Sequence, residues 1–179
     1  MRKLSMDELN RVSVEKFTHL EKLPVICILD NIRSQHNIGS IFRTSDAFRI
    51  QELYLCGITA TPPNREINKS ALGATESVKW QYFDDTKAAV EQLKRSGYKI
   101  IAVEQAVGSI NLEDYAPDTS SKIALVFGNE VTGVSEDVME MVDACIEIPQ
   151  FGTKHSFNVS VTAAIVLYQF YSSLKKHFK

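Results

Sequence analysis

Apolar runs alternate with amphipathic stretches along the chain, which predicts a domain of mixed α and β structure. Six short apolar runs are predicted to be strands. Several of them are apolar throughout and do not alternate with polar residues, as is typical of parallel strands buried on both faces. The runs are Val25–Leu29, Glu52–Cys56, Val78–Phe83, Lys99–Val103, Ile123–Phe127 and Cys145–Ile148. The pattern therefore predicts an α/β domain with a largely parallel sheet.

Helical patterns lie before and between these runs. The predicted helices cover Met1–Leu23, Asp84–Ser96, Ser135–Val142 and Asn158–Lys176. In the first helix Ser5 and Glu8 have the spacing of a capping box, and Pro24 follows its end. Residues 1–24 are therefore interpreted as an N-terminal helical extension, and residues 25–179 as one further domain. The Pro-containing stretch Thr59–Asn68 is interpreted as a crossover loop.

The predicted final helix has apolar residues around most of its circumference. Such a helix must be covered on more than one side. It is either the central helix of a large core or part of a subunit interface. Because the chain has only 179 residues, the interface is favoured, and we expect a homodimer.

The bulk composition fits one soluble globular domain but does not indicate nucleic-acid binding. The chain is 44% hydrophobic and 23% charged, with a formal net charge of −2. Any RNA site must therefore be a local basic patch. The polar N-terminus lacks a signal peptide, and no apolar stretch could span a bilayer, so we expect a cytoplasmic protein without a membrane partner.

The common cofactor and hydrolase motifs are missing from the sequence. There is no GxG, no GxxxxGK[ST] loop, no HExxH and no GxSxG. The four histidines are scattered without metal-binding spacing, and we expect no metal site. The three cysteines lie in apolar runs and are expected to be buried thiols in a reducing compartment, namely Cys27, Cys56 and Cys145.

Three glycine-containing polar segments each follow a predicted strand. They are Asn31–Phe48, Val126–Ser135 and Ile148–Ser160. Each has a purely structural interpretation: Asn37 as a helix cap with Arg43 as an ion-pair partner, or the later segments as well-formed turns. Three such segments at the strand ends of one sheet nevertheless favour a ligand site there.

The strings NIGSIFRTSDAF, VFGNEVTGV and IPQFGTKHSFNVSVTAA resemble, in order, the three motifs of the SpoU (TrmH) branch of the SPOUT methyltransferases. With the intervening strands they span nearly the whole chain from Val25 onwards. The resemblance implies a SPOUT methyltransferase domain with a C-terminal trefoil knot. It also implies a homodimer that binds S-adenosylmethionine and methylates ribose 2′-hydroxyls in RNA.

Two sets of site residues carry over from these motifs. The set expected at the reacting ribose is Asn37, Arg43, Glu130, Ser156 and Asn158. The set expected to line the cofactor cradle is Glu104, Gly128, Ile148 and Phe157, the last standing where the family commonly has leucine. By this resemblance Arg43 acts at the ribose, and we expect Glu130 and Asn37 to hold it in place.

The RNA target is less constrained by the sequence. Contacts are expected from basic residues near the motif loops, namely Arg2, Lys3, Arg33, Arg65, Lys69 and Lys154. Transfer RNA is favoured over ribosomal RNA because a bare catalytic domain suits a compact substrate. The alternatives are an rRNA methyltransferase, a knotted RNA-binding module without activity, and a SPOUT enzyme that methylates a base nitrogen.

Overall fold

The computed structural model describes residues 1–5, 7–9 and 12–175. A short 3-10 helix at Asp7–Leu9 comes before the α-helices and strands. The elements that follow are α1 (Val14–His19), β1 (Leu23–Asp30), α2 (Gln35–Ala47), β2 (Ile50–Cys56), α3 (Arg65–Ala71), α4 (Ala74–Ser77), β3 (Trp80–Phe83), α5 (Thr86–Arg95), β4 (Tyr98–Val103), β5 (Ile110–Asn111), β6 (Lys122–Phe127), α6 (Glu136–Met139), β7 (Ala144–Glu147) and α7 (Val159–Leu174).

The strands form one parallel sheet in the order β3-β2-β1-β6-β4-β7-β5. From β1 the chain adds β2 and β3 on one side, and the later strands lie on the other. The strand order therefore reverses between β1 and β6. In such sheets ligands bind beside the carboxyl ends of the strands, near this reversal.

Both faces of the sheet are covered by helices. One face of β1 presents Val25, Cys27 and Leu29 to a core shared with α2, α3 and α7. The opposite face presents Ile26 and Ile28 to a smaller core shared with α5 and α6. This double burial explains why the strand sequences are apolar without alternation.

The predicted fold class is confirmed: a mainly parallel sheet flanked by helices. All six predicted strands are present, and the structure adds the short β5, whose two residues pair with β7. The C-terminal trefoil knot, which came from the family resemblance, stays a prediction, as does the division of the chain at residue 24.

The prediction of a single helix over Met1–Leu23 is wrong. Ser5 and Glu8 do form the predicted reciprocal pair, with N–H to side-chain oxygen distances of 2.8 and 3.4 Å, but they support only the 3-10 helix. Ser13 then caps a second short helix by accepting from the Lys16 N–H. Leu23 is fully buried and begins β1, because its N–H pairs with the Arg49 carbonyl.

The other helices differ from prediction mainly at their ends. Helix α5 follows the predicted range closely, and Asn158 caps α7, whose predicted end at Lys176 lies outside the described residues. Helix α6 ends earlier than expected, at Met139, and the Ser135 hydroxyl donates to Asp30 instead of capping it. The stretch interpreted as a loop contains the first residues of α3.

The cysteine prediction holds for two residues. Cys27 and Cys56 are buried, and burial raises the pKa of each thiol, whereas Cys145 is only partly buried. Within the described ranges, no helix is long and apolar enough to cross a bilayer. The same residues contain no cluster of three or more His, Cys, Asp or Glu side chains able to hold a metal ion.

Gly39 allows α2 and α3 to pack closely, and this contact generates a stability prediction. A Cβ at residue 39 would lie 2.2 Å from both the Ile67 carbonyl oxygen and the Ser70 Oγ. Gly39→Ala is therefore expected to lower the free energy of unfolding by about 1–3 kcal/mol. The measurement is urea denaturation at fixed protein concentration.

Gly152→Ala is the matched control, because a Cβ there meets nothing within 4 Å. Equal stability of Gly39→Ala and wild type would contradict the close packing of these helices.

Candidate active site

A cavity of about 540 Å³ lies where β4, β6 and β7 end and α7 begins. Its size is within the range usual for cofactor sites, roughly 300–1,000 Å³. Seven of the nine predicted site residues line it, namely Glu104, Gly128, Glu130, Ile148, Ser156, Phe157 and Asn158. The structure thus brings the second and third motifs together around one space.

The loop after β6 forms one wall of the cavity. Asn129 and Gly133 exchange two backbone hydrogen bonds of 2.9 Å, which fold the loop tightly back on itself. A Cβ on Gly128 would lie 2.1 Å from the Val134 nitrogen, so no side chain fits there. The Glu104 carboxylate accepts from the Val134 N–H at 3.0 Å and ties this loop to the end of β4.

Glu130, at the turn of this loop, binds the beginning of α2. Its carboxylate accepts from the Arg33 N–H at 3.0 Å, the Ser34 N–H at 3.1 Å and the Asn37 Nδ2 at 3.0 Å. Partial burial by itself would raise the pKa of Glu130, but these donors outweigh it, and the pKa is lowered. The ionised carboxylate is therefore a fixed link between two segments that lie about 95 residues apart in the sequence.

The link continues from Asn37 to α7. The Asn37 Oδ1 accepts from the Asn158 Nδ2 at 3.1 Å, and the Asn158 Oδ1 accepts from the Ser160 N–H at 2.9 Å. Ser34, not Asn37, caps α2. We refer to the connected side chains of Glu130, Asn37 and Asn158 as the clasp.

The segment before α7 forms the open side of the cavity. Ser156 and Phe157 are exposed and line the space, and Phe157 keeps 44% of its surface accessible. Gln105, after β4, donates from its Nε2 to the His155 carbonyl at 2.7 Å and holds the segment against the cavity mouth.

Arg43 does not line this cavity. It follows Asn37 by six residues on α2, so at about 100° per residue its side chain leaves the helix roughly 120° away from Asn37. It is exposed and lines a second cavity instead. Asn37 binds both Glu130 and Asn158, and in the described part of the chain neither Glu130 nor Asn37 contacts Arg43, so the expectation that they hold Arg43 is not met within one chain.

Sequence reasoning missed several residues of the cavity wall. Asn129 donates to the Asn31 carbonyl at 2.6 Å and accepts from the Val131 N–H at 2.8 Å, which shapes the loop around Glu130. Its position between Gly128 and Glu130 was a usable signal. Glu147 and Thr162 also line the cavity, but their positions inside a strand and a helix gave no such signal.

The residues expected to contact RNA lie outside the cavity, and two are already paired. Arg2 binds Glu8 at 2.5 Å, and Lys69 binds Glu66 at 2.7 Å. The role of all six residues stays a prediction.

The sheet is parallel, helices cover both of its faces, and a polar-lined cavity lies at the carboxyl ends of its strands. This arrangement is typical of α/β domains that bind small molecules. Comparison with known proteins identifies its family. The family model described as the SpoU rRNA Methylase family matches residues 24–168, and the chain belongs to this family. The membership predicted from the three motifs is thereby confirmed.

Individual relatives agree with this assignment. A tRNA (guanosine(18)-2′-O)-methyltransferase of Aquifex aeolicus is 35% identical over 81% of this chain and 67% of that protein. The crystal structure of the A. aeolicus TrmH/SpoU tRNA modifying enzyme has a TM-score of 0.80 at 26% identity, covering 92% of this chain and 83% of that one. An AdoMet-bound rRNA methyltransferase from Sinorhizobium meliloti has a TM-score of 0.78 at 25% identity, covering 90% of this chain but only 59% of that one.

The lowered pKa of Glu130 generates a prediction about pH. Because the folded-state pKa is below the ordinary 4.5, the stabilisation from ionised Glu130 is present above that value and is lost as the pH falls through the folded pKa. Glu130→Gln should therefore be less stable than wild type at neutral pH, and the difference should shrink in acid. Urea denaturation across the pH range measures both.

Glu113→Gln, at an exposed carboxylate outside the cavity, is the control. A Glu130→Gln deficit that persisted unchanged into acid would mean that the carboxylate charge does not hold the clasp.

Proposed function

We propose that this protein is an S-adenosylmethionine-dependent methyltransferase that methylates a ribose 2′-hydroxyl in RNA, most readily tRNA, as a homodimer. The observation that carries the proposal is the cavity in which residues of the second and third motifs meet and to which the first motif is joined by Asn37. Family membership and the activities named for the relatives support it.

The residues around the cavity fit the proposed cofactor. S-adenosylmethionine supplies a methyl group activated by a positively charged sulfonium. The carboxylates of Glu104, Glu130 and Glu147 line the cavity and favour a cationic ligand. Ile148 and Phe157 offer apolar surface suited to adenine, and the absence of a side chain at Gly128 keeps the backbone accessible.

The chain's own residues then have to activate and place the ribose hydroxyl. In the proposed reaction the bound cofactor would supply the methyl group and keep the electron pair of the broken carbon–sulfur bond as a neutral thioether. The 2′-oxygen bonds to the methyl carbon, and its proton passes to a neighbouring phosphate or to solvent. A charged guanidinium from Arg43 stabilises the developing negative charge and grips that phosphate with two donors. Arginine side chains are always charged in proteins, so the proposed role of Arg43 is electrostatic and not that of a base. Ser156 and Asn158 orient the substrate or cofactor, and no metal is required.

A second subunit is part of the proposal because Arg43 is absent from its own chain's cavity. On α7, Val161, Ile165 and Tyr168 are exposed by 46%, 37% and 58% and form one apolar stripe at helical spacing. The ring centroid of Tyr168 lies 6.0 Å from that of Phe48, at the end of α2, so the stripe adjoins the helix that bears Arg43. We infer that two copies pair along this face and that each cavity receives the partner's Arg43.

The choice of tRNA rests on the A. aeolicus relatives, both named for tRNA. Ribosomal RNA is the main alternative, supported by the S. meliloti structure. Incubation with labelled methyl donor and separated tRNA and rRNA, followed by mapping of the methylated ribose, distinguishes these targets. Absence of transfer to either RNA would favour a non-catalytic module. Cytoplasmic localisation is a further expectation.

The proposed role of Arg43 predicts a separation of binding from catalysis. Arg43→Lys keeps the charge but loses the two-pronged grip, so methyl transfer should fall about 10²-fold or more. The affinity for S-adenosylmethionine should stay nearly unchanged, because the proposed cofactor contacts come from the residues that line the cavity of a single chain, whereas Arg43 is proposed to act on the ribose and its phosphate. Single-turnover methylation and calorimetry measure the two quantities.

Lys87→Arg, on the distant helix α5, is the control for a basic substitution. Nearly full methylation by Arg43→Lys would rule out the bidentate role.

A further inference from the structure

Asp30, the last residue of β1, is a buried carboxylate that does not line the cofactor cavity. It is 1% exposed and belongs to neither wall of that space. In the part of the chain that the structure describes, no cation lies within salt-bridge distance of it. Burying a charge without a counter-ion is costly. A carboxylate at this position therefore depends on neutral hydrogen-bond donors.

Four such donors surround its two oxygens. Oδ1 accepts from the Thr86 hydroxyl at 2.6 Å and from the Asn31 Nδ2 at 2.9 Å. Oδ2 accepts from the Ser135 N–H at 2.9 Å and from the Ser135 hydroxyl at 2.8 Å. A carboxylate can accept all four bonds, whereas an asparagine would turn its amide NH₂ toward two of the donors. The contacts join β1 to the first residue of α5 and to the residue that follows the loop after β6.

The order of the strands explains why Asp30 reaches this loop. Strand β6 lies between β1 and β4, so the loop after β6 begins between the carboxyl ends of two neighbouring strands. Asp30 of β1 accepts from the Ser135 N–H, and Glu104, directly after β4, accepts from the Val134 N–H at 3.0 Å. Two successive N–H groups are thus bound by carboxylates of the two flanking strands. The end of the loop is thereby fixed across the sheet.

This fixed end packs directly against the start of the same loop. A Cβ on Gly128 would lie 2.1 Å from the Val134 nitrogen and 2.2 Å from the Gly133 carbonyl carbon. Both glycines line the cavity. A displacement of Ser135 would therefore be passed through Val134 to the cavity wall.

We propose that Asp30 is a positioning residue for cofactor binding, which acts through Ser135 to hold the loop after β6 in the shape that receives S-adenosylmethionine. The inference rests on the proposed function, because that cofactor is the ligand there. Asp30 touches neither cofactor nor substrate. It reduces the ordering of the loop that binding would otherwise have to supply. All of its contacts lie within one chain, so the inference does not depend on how two copies pair.

Two hydroxyl deletions form a matched pair for the test. Ser135→Ala and Thr86→Val each remove one hydroxyl donor, from Oδ2 and Oδ1 of Asp30 respectively, and each oxygen keeps a second donor. Only Ser135 adjoins the loop that forms the cavity wall, whereas Thr86 begins α5 and lies outside the cavity lining. Ser135→Thr keeps a hydroxyl at residue 135 and is the rescue variant.

The two deletions should affect stability alike and cofactor binding differently. Each should lower the melting temperature by about 5 °C, because each removes one hydrogen bond to a charged group. Ser135→Ala should raise the Kd for S-adenosylmethionine about tenfold, whereas Thr86→Val and Ser135→Thr should bind it like wild type. In methyl transfer to tRNA, Ser135→Ala should raise the KM for the cofactor and leave kcat nearly unchanged, because the saturated protein has its loop in place. Titration and scanning calorimetry measure the Kd and the melting temperature.

Equal cofactor affinities of Ser135→Ala and Thr86→Val, whether unchanged or equally weakened, would overturn the inference, because the buried carboxylate would then contribute only to stability. Failure of the proposed function has a different signature. A wild-type protein that binds S-adenosylmethionine but methylates no RNA would contradict that function and leave the inference standing. A wild-type protein that binds no S-adenosylmethionine would contradict both.

Discussion

The carboxylate of Glu130 is the contact on which the candidate site depends. It accepts from the two backbone N–H groups just before α2, those of Arg33 and Ser34, and through Asn37 it fixes Asn158 at the start of α7. A parallel sheet brings strand ends to one edge but leaves the following loops free to diverge. The clasp removes that freedom, because one ionised group links the loop after β6 to two helices. Glu104 secures the same loop from the side of β4. The cavity walls are thus set before any ligand enters.

The clasp also fixes the direction in which Arg43 points. Once Asn37 is bound to Glu130 and Asn158, the helical repeat of α2 turns Arg43 away from them, toward the second cavity. A single chain therefore divides the proposed chemistry between two surfaces, with the cofactor residues on one and the guanidinium on the other. The apolar stripe on α7 lies beside α2, and it is the face along which we propose that two copies pair. In our account the dimer is needed for catalysis because it reunites these surfaces.

Much of this arrangement could be predicted from the sequence, and the exceptions have physical causes. Strands that are buried on both faces have continuous apolar sequences, so the six longer strands could be predicted. The two-residue strand Ile110–Asn111 is too short to give such a pattern and was not predicted. Helix Arg65–Ala71 was overlooked because it buries only two residues and follows a proline pair. The motifs identified the cavity residues but not their contacts: Asn37 was expected to hold Arg43, although their spacing of six residues on a helix already separates them. Contacts between distant segments, such as that of Glu130, carry no local signal.

The most direct measurement of the central claim is methyl transfer by purified mixed dimers. One chain carries Arg43→Ala. The other carries Gly128→Ala, whose Cβ would overlap the Val134 nitrogen and deform the cofactor cavity. Each mutant homodimer should be inactive. If the guanidinium acts across the interface, the mixed dimer regains one complete site of two and about half of the wild-type rate per dimer. A mixed dimer as inactive as its parents would show that Arg43 works within its own chain, and the account would be contradicted.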